Sequence, residues 1–158
     1  MLQAFENFKA NNVGDLIVDM RYNPGGNVAF AALLATLIAN VNASDVFVEY
    51  RGNRQLGNTA STFFNEFTKQ PTGYAFNFEE IRLRSLGLSR VYMLTGANTA
   101  CAAELLINSF SPYIQTIQIG EQTLGKDMAA VELVDNVEPK MAPDWTLPGT
   151  VIAETARS

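Results

Sequence analysis

The segment RVYMLTGANTACAAELLINSF, Arg90 to Phe110, changes its period in the middle. Its first part, RVYMLTG, is an apolar run with β-branched and aromatic residues that ends at a glycine, as a buried strand does. From Thr99 onward, TACAAELLINSF carries apolar groups at helical spacing, so a strand feeds a helix through a short turn. The same alternation extends outward in both directions. Upstream, LQAFENFKAN has Leu2, Phe5 and Phe8 at helical spacing, Gly14 punctuates, and LIVDM reads as a strand running into Asn23-Pro24-Gly25-Gly26. VAFAALLATLIANV then reads as a helix apolar nearly all round, which implies burial between layers, and DVFVEY (Asp45 to Tyr50) as a second strand. Downstream, IQTIQIG (Ile114 to Gly120) is a further strand. Such alternation predicts an α/β domain with a parallel sheet flanked by helices.

The 158 residues, 47% hydrophobic and 17% charged, are enough for one globular domain with a real core. A formal charge of −5 without clustered Lys or Arg excludes a nucleic-acid partner. No apolar run approaches the roughly 20 residues that span a bilayer, and the first residues are amphipathic rather than a signal peptide. Cys101 is the single cysteine and forms no internal disulfide. No histidine occurs in the chain, so Ser-His-Asp and Cys-His arrangements are impossible and a nucleophile must find another base. Neither a metal nor a cofactor is called for by any motif.

Between Tyr50 and Arg90 the texture changes to Asn, Thr, Gly and aromatics without clean periodicity, so residues 51–89 read as an excursion on the rim of the sheet. Phe63, Phe64, Phe67, Tyr74, Phe76 and Phe78 either form a flap over a substrate or pack down as satellite core. Beyond Lys126, AAVELVDN reads as a strand and WTLPGTVIAETA as another, placed at an edge by Pro148.

Three features carry chemistry. The Gly25-Gly26 turn exposes main-chain N–H groups with no Cβ in the way, as an oxyanion hole requires, although a tight strand-to-helix turn needs the same residues. Cys101 follows Thr99, read as the N-cap, and so lies in the first helical turn, where free N–H groups and the helix dipole favour a thiolate. Beside Ala100, Ala102 and Ala103, an inert buried thiol is the plainer reading of this segment taken alone. Lys126 closes the run GEQTLGK directly after an apolar strand, the placement a lysine needs if desolvation is to make it a base. A solvated loop lysine is the plainer reading of the same residue.

In combination, DLIVDMRYNPGG (Asp15 to Gly26), VYMLTGANTACAAELLI (Val91 to Ile107) and IGEQTLGK (Ile119 to Lys126) resemble, in the same order, the strand-turn, nucleophile and base segments of the tail-specific or C-terminal processing proteases. The resemblance runs from Leu2 to about Val151. It implies a ClpP/crotonase-like spiral of mostly parallel strands flanked by helices, forming a peptidase core over 1–158 that cleaves peptide bonds in unstructured polypeptides or C-terminal tails through an acyl-enzyme. Carried over by position, it puts Cys101 at the nucleophilic serine, Lys126 at the general base, the N–H groups of Gly25, Gly26 and Ala102 at the oxyanion hole, and Glu104 in a supporting role in helix and loop positioning. It also implies an exported or periplasmic protein. The family's usual PDZ domain and N-terminal region have no counterpart here, so an isolated core or a fragment is expected.

Departures from the family pattern bear on activity. The family's nucleophile segment reads T-A-S-A-S-E, whereas Cys101 and Ala103 stand here at its two serines, and Ala130 stands where many members carry a glutamine that orients the lysine. A cysteine beside a lysine can pass its proton across before attack, yet sulfur's longer bonds shift the acyl carbon relative to the oxyanion donors, and a displacement of ~1 Å costs about 10²-fold. The alternatives are a catalytically impaired homologue that binds peptides and, with the Cys101 and Lys126 pairing left unexplained, a crotonase-like acyl-CoA enzyme.

Overall fold

The computed structural model describes residues 1–54, 57–69, 76–126, 128–129 and 151–154. In chain order they form α1 (Leu2–Ala10), β1 (Ile17–Asp19), α2 (Val28–Ile38), β2 (Val46–Arg51), β3 (Asn58–Thr62), α3 (Phe63–Thr68), α4 (Phe78–Arg82), β4 (Arg90–Thr95), α5 (Ala102–Ser109), β5 (Gln115–Gly120), β6 (Met128–Ala129) and β7 (Val151–Glu154). The helices and strands read from periodicity up to Gly120 are present, their ends trimmed by up to three residues except that β2 runs one residue further, to Arg51.

β1, β4 and β5 make a parallel sheet in the order β1-β4-β5, with Ile17 opposite Tyr92 opposite Ile117 and Asp19 opposite Leu94 opposite Ile119. Because the strands run the same way, the turn after β1, the elbow after β4 and the loop after β5 all leave from one edge. That edge, beyond the carboxyl ends of the strands, is where α/β sheets place their sites. Along β4, Val91, Met93 and Thr95 are buried while Arg90 is exposed and Tyr92 and Leu94 are half-buried.

The alternation does not foresee the second sheet. β2 joins an antiparallel sheet of order β3-β2-β7-β6, because the Gly52–Gly57 turn folds β3 straight back upon it. The expected edge position of the last strand is corrected too: β7 pairs with both β2 and β6 and so lies inside the sheet. Tyr74, Pro148 and residues 130–136 of AAVELVDN lie outside the described residues.

α2 fills the centre. Asn27 caps it by accepting from the N–H of Ala29 at 2.8 Å, and its faces pack on α3, α4 and α5 with Leu33, Leu37 and Ile38 fully buried, as its all-round apolarity requires. The excursion contributes to this core: Phe63 stacks against Phe47 with centroids 5.0 Å apart, and Phe67 meets Phe78 edge-on at 5.4 Å. These three excursion aromatics, Phe63, Phe67 and Phe78, are buried and not free to cover a substrate, whereas Phe64 is exposed.

Candidate active site

Cys101 itself is the N-cap of α5, with φ 54° and ψ −121°. A residue with a Cβ holds that backbone only under constraint, and a strained strand-to-helix elbow of this kind lifts a side chain clear of its own helix. The expectation that Thr99 caps the helix is thereby corrected. Thr99 is fully buried, and its hydroxyl donates to the carbonyl of Met20 at 2.6 Å and accepts from the N–H of Gly96 at 3.0 Å, which leaves it no part in the cap. The capping carboxylate comes from three residues inside the helix: Glu104 Oε2 accepts from the N–H of Cys101 at 2.9 Å. Cys101 is a free thiol and partly exposed.

The glycine turn lies directly against the elbow. A Cβ built on Gly25 would stand 2.6 Å from Cys101 Cβ, 2.9 Å from the carbonyl oxygen of Ala100 and 3.0 Å from the nitrogen of Ala102. Gly25 has φ +108°, so sterics and backbone both demand glycine there. Asn23 joins the two segments: its side-chain oxygen accepts from the N–H of Gly25 at 2.9 Å and its carbonyl from the N–H of Ala100 at 3.1 Å. The N–H of Gly25 is therefore held within its own turn, whereas the N–H of Gly26 meets no acceptor among the described residues. The N–H of Ala102, in the first helical turn, has no acceptor within its own helix. The sequence carries one signal for this role of Asn23: Asn-Pro-Gly is a recognisable turn in which the side chain accepts from the residue two positions on.

The third segment is tied to the same elbow. Gly120 passes so close to Thr95 that a Cβ would stand 2.2 Å from its carbonyl oxygen, and the N–H of Glu121 donates to that oxygen at 3.1 Å. Leu124 then donates to the carbonyl of Thr99 at 2.9 Å. Finally, Glu104 Oε1 accepts from the N–H of Gly125 at 2.6 Å, and Oε2 from the N–H of Lys126 at 2.9 Å. One carboxylate oxygen thus holds the main chains of both Cys101 and Lys126. Glu104 is buried with no cation on it among its hydrogen-bond partners; main-chain dipoles stabilise its charge, as they do for capping carboxylates.

Lys126 departs from the expectation that it ends a buried strand. It is exposed, at the end of a loop that leaves β5 at Gly120, and β5 is an edge strand whose residues are half-buried at most. Below the glycine turn, Arg21 grips Asp19 with two nitrogens, Nε to Oδ1 at 3.0 Å and a terminal nitrogen to Oδ2 at 2.7 Å, and hydrogen bonding to Arg21 draws the Asp19 carboxyl down from 3.8 to about 2. The carbonyl of Arg21 lies 2.9 Å from where a Cβ on Gly96 would be, so the first turn and the elbow are in contact here as well.

The sequence matches the family model described as Peptidase family S41 over residues 1–137. The chain belongs to peptidase family S41. As an S41 chain it is 30% identical to a Bacteroides fragilis protein assigned to the S41 proteases, with a TM-score of 0.64 over 86% of this chain and 33% of that one. Its fold is shared with a lipoprotein from Streptococcus agalactiae (18% identity, TM-score 0.54, 98% of this chain and 50% of that one) and with the photosystem II D1 C-terminal processing protease (20% identity, TM-score 0.57, 98% and 32%). This S41 chain therefore spans between a third and a half of the length of these solved relatives. No curated protein matches it. Among the described residues, no helix is long and apolar enough to cross a membrane.

Proposed function

We propose that this S41 domain is a peptidase core that cleaves peptide bonds in unstructured polypeptides or C-terminal tails, with Cys101 as nucleophile and Lys126 as base. The observation that carries the reading is the convergence on Glu104: one buried carboxylate holds the main chains of the residue at the elbow and of the lysine. In this mechanism Cys101 Sγ passes its proton to Lys126 Nζ, and the thiolate then attacks the scissile carbonyl carbon. The negative oxygen that develops is met by the N–H groups of Gly26 and Ala102, with Gly25 letting the turn approach. The C–N bond then breaks, the lysine returns its proton to the leaving amine, and a thioester remains. Water, deprotonated by Lys126, hydrolyses the thioester and frees the thiol. An exported location is proposed with this reading, in keeping with a lipoprotein among the structural relatives.

The test is iodoacetamide labelling of Cys101 beside hydrolysis of an unstructured fluorogenic peptide. Labelling faster than that of a free thiol, lost in Lys126→Ala together with hydrolysis, is the expected result. Labelling with an ordinary thiol profile, unchanged in Lys126→Ala, would sink the dyad. The exposure of Lys126 favours a second reading, a peptide-binding domain impaired in turnover. Peptide binding by the wild type and by Cys101→Ala, with hydrolysis by neither, identifies that case.

A further inference from the structure

We infer that Thr99 is a positioning residue for Cys101: it joins the turn after β1, the elbow after β4 and the loop after β5 into one unit, and so sets where the sulfur stands relative to the lysine segment. The inference rests on Cys101 being the nucleophile. Each polar group of Thr99 is used, and each reaches a different part of the site. Its hydroxyl donates to the carbonyl of Met20 at 2.6 Å, beside the first turn, and accepts from the N–H of Gly96 at 3.0 Å, at the end of β4. Its own N–H donates back to the carbonyl of Gly96 at 2.9 Å, and its carbonyl accepts from the N–H of Leu124 at 2.9 Å, two residues before Lys126.

Thr99 is 0% exposed, so none of these groups can turn to water instead. The residue is β-branched and stiff at χ1, which aims the hydroxyl without further help. Two residues later the chain must take up the strained backbone of Cys101, at φ 54°. Strain of that kind persists only where the surroundings over-determine it. On the N-terminal side of Cys101 the hydroxyl of Thr99 provides that constraint, as Glu104 does on the C-terminal side. Removing the hydroxyl while keeping the shape, as in Thr99→Val, frees the elbow to relax and shifts Cys101 relative to the glycine turn and the lysine segment.

The experiment measures the rate constant for iodoacetamide with Cys101 across pH, on native protein with folding checked by circular dichroism. In the wild type, labelling is expected to be faster than that of a free thiol. Thr99→Val is expected to bring the labelling rate down to that of an ordinary thiol and to lower peptide hydrolysis on the order of 10²-fold, mainly in kcat. Thr99→Ser, which keeps the hydroxyl, is expected to restore both. Thr36→Val serves as the control for lost stability, since Thr36 is equally buried but donates to Ala32 inside α2, away from the site; its profile is expected to match the wild type. A folded Thr99→Val protein with the wild-type profile would overturn the inference while leaving the nucleophile reading intact. An ordinary profile in the wild type itself would overturn that reading and the inference with it. Should Thr99→Val fail to fold, Leu124→Pro removes the donor to the Thr99 carbonyl at an exposed position: a shifted profile supports the inference, and an unshifted one overturns it.

Discussion

Gly25 lies against Cys101 at a distance only a residue without a side chain permits, since a methyl group on it would come within 2.6 Å of the cysteine Cβ. The glycine turn and the elbow therefore share one packing surface. Gly25→Ala is predicted to push them apart, at a cost of about 1–3 kcal/mol from the strained backbone alone, and to reduce peptide hydrolysis on the order of 10²-fold. Gly26 also has a positive φ, +152°, but a Cβ there meets nothing within 4 Å, so Gly26→Ala carries the backbone cost without the clash and is predicted to be milder in stability. Thermal unfolding and kcat/KM of the two variants, side by side, check the contrast.

Glu104 accepts three main-chain N–H groups, from Cys101, Gly125 and Lys126, and is only 7% exposed. Glu104→Gln keeps the shape but lacks one acceptor atom and the charge. Hydrogen bonds to charged groups contribute about 1.5–3 kcal/mol each, so the variant is predicted to lose stability of that order and to lose amide-exchange protection selectively at Gly125 and Lys126; protection unchanged there, or lost equally along the loop, would count against it. Hydrogen exchange followed by NMR distinguishes this from general loosening.

Much of the fold is legible in residue spacing because the signals there are local. The apolar run of α2, the strand-to-helix change at Gly96 and the apolar strand around Met93 need no distant partner to be read. β2 has an equally strong strand signal, yet its sheet is decided by the turn at Gly52–Gly57 and by pairing with Val151–Glu154, about a hundred residues on. The site divides in the same way. Cys101, Lys126 and the glycines stand out as residue types, and Asn23-Pro24-Gly25 carries a readable turn signal. The role of Thr99 is hidden, because a threonine before a helix reads as its cap until Met20 is seen to hold the hydroxyl. The exposure of Lys126 is hidden likewise, since an apolar strand looks the same at the edge of a sheet as at its centre.

Asp19 and Arg21 form a pair at the foot of the glycine turn whose effect on pH dependence has a definite sign. Hydrogen bonds from Arg21 lower the Asp19 carboxyl from 3.8 to about 2 in the folded protein. The pair's contribution to stability is thus fully present above the unfolded value and is lost as pH falls from there through about 2. Arg21→Met removes the guanidinium but keeps the main-chain N–H of residue 21, which donates to Asp19 Oδ1 at 3.1 Å, so it is predicted to move the Asp19 titration part of the way back towards the ordinary carboxylate value near 3.9. A carbon-13 NMR titration of the side-chain carboxyl reads this directly, and an unchanged midpoint in Arg21→Met would show that the guanidinium is not the cause and that the main-chain N–H alone holds the carboxyl down.

The oxyanion donors proposed here belong to the main chain, held by Asn23, Thr99 and Glu104 rather than by the side chain at position 101. Exchanging sulfur for oxygen therefore leaves them in place and changes only the reach of the attacking atom. The bonds of oxygen are shorter, and a displacement of ~1 Å at a reacting centre costs about 10²-fold. Cys101→Ser is accordingly predicted to hydrolyse an unstructured peptide faster than the wild type, by up to that factor, and to lose the rate again when Lys126→Ala is added. The measurement is kcat/KM for wild type, Cys101→Ser and the double variant. A serine form as inert as Cys101→Ala would show that the site is built for sulfur or for binding alone, because the same backbone and the same lysine would then have failed with the smaller nucleophile.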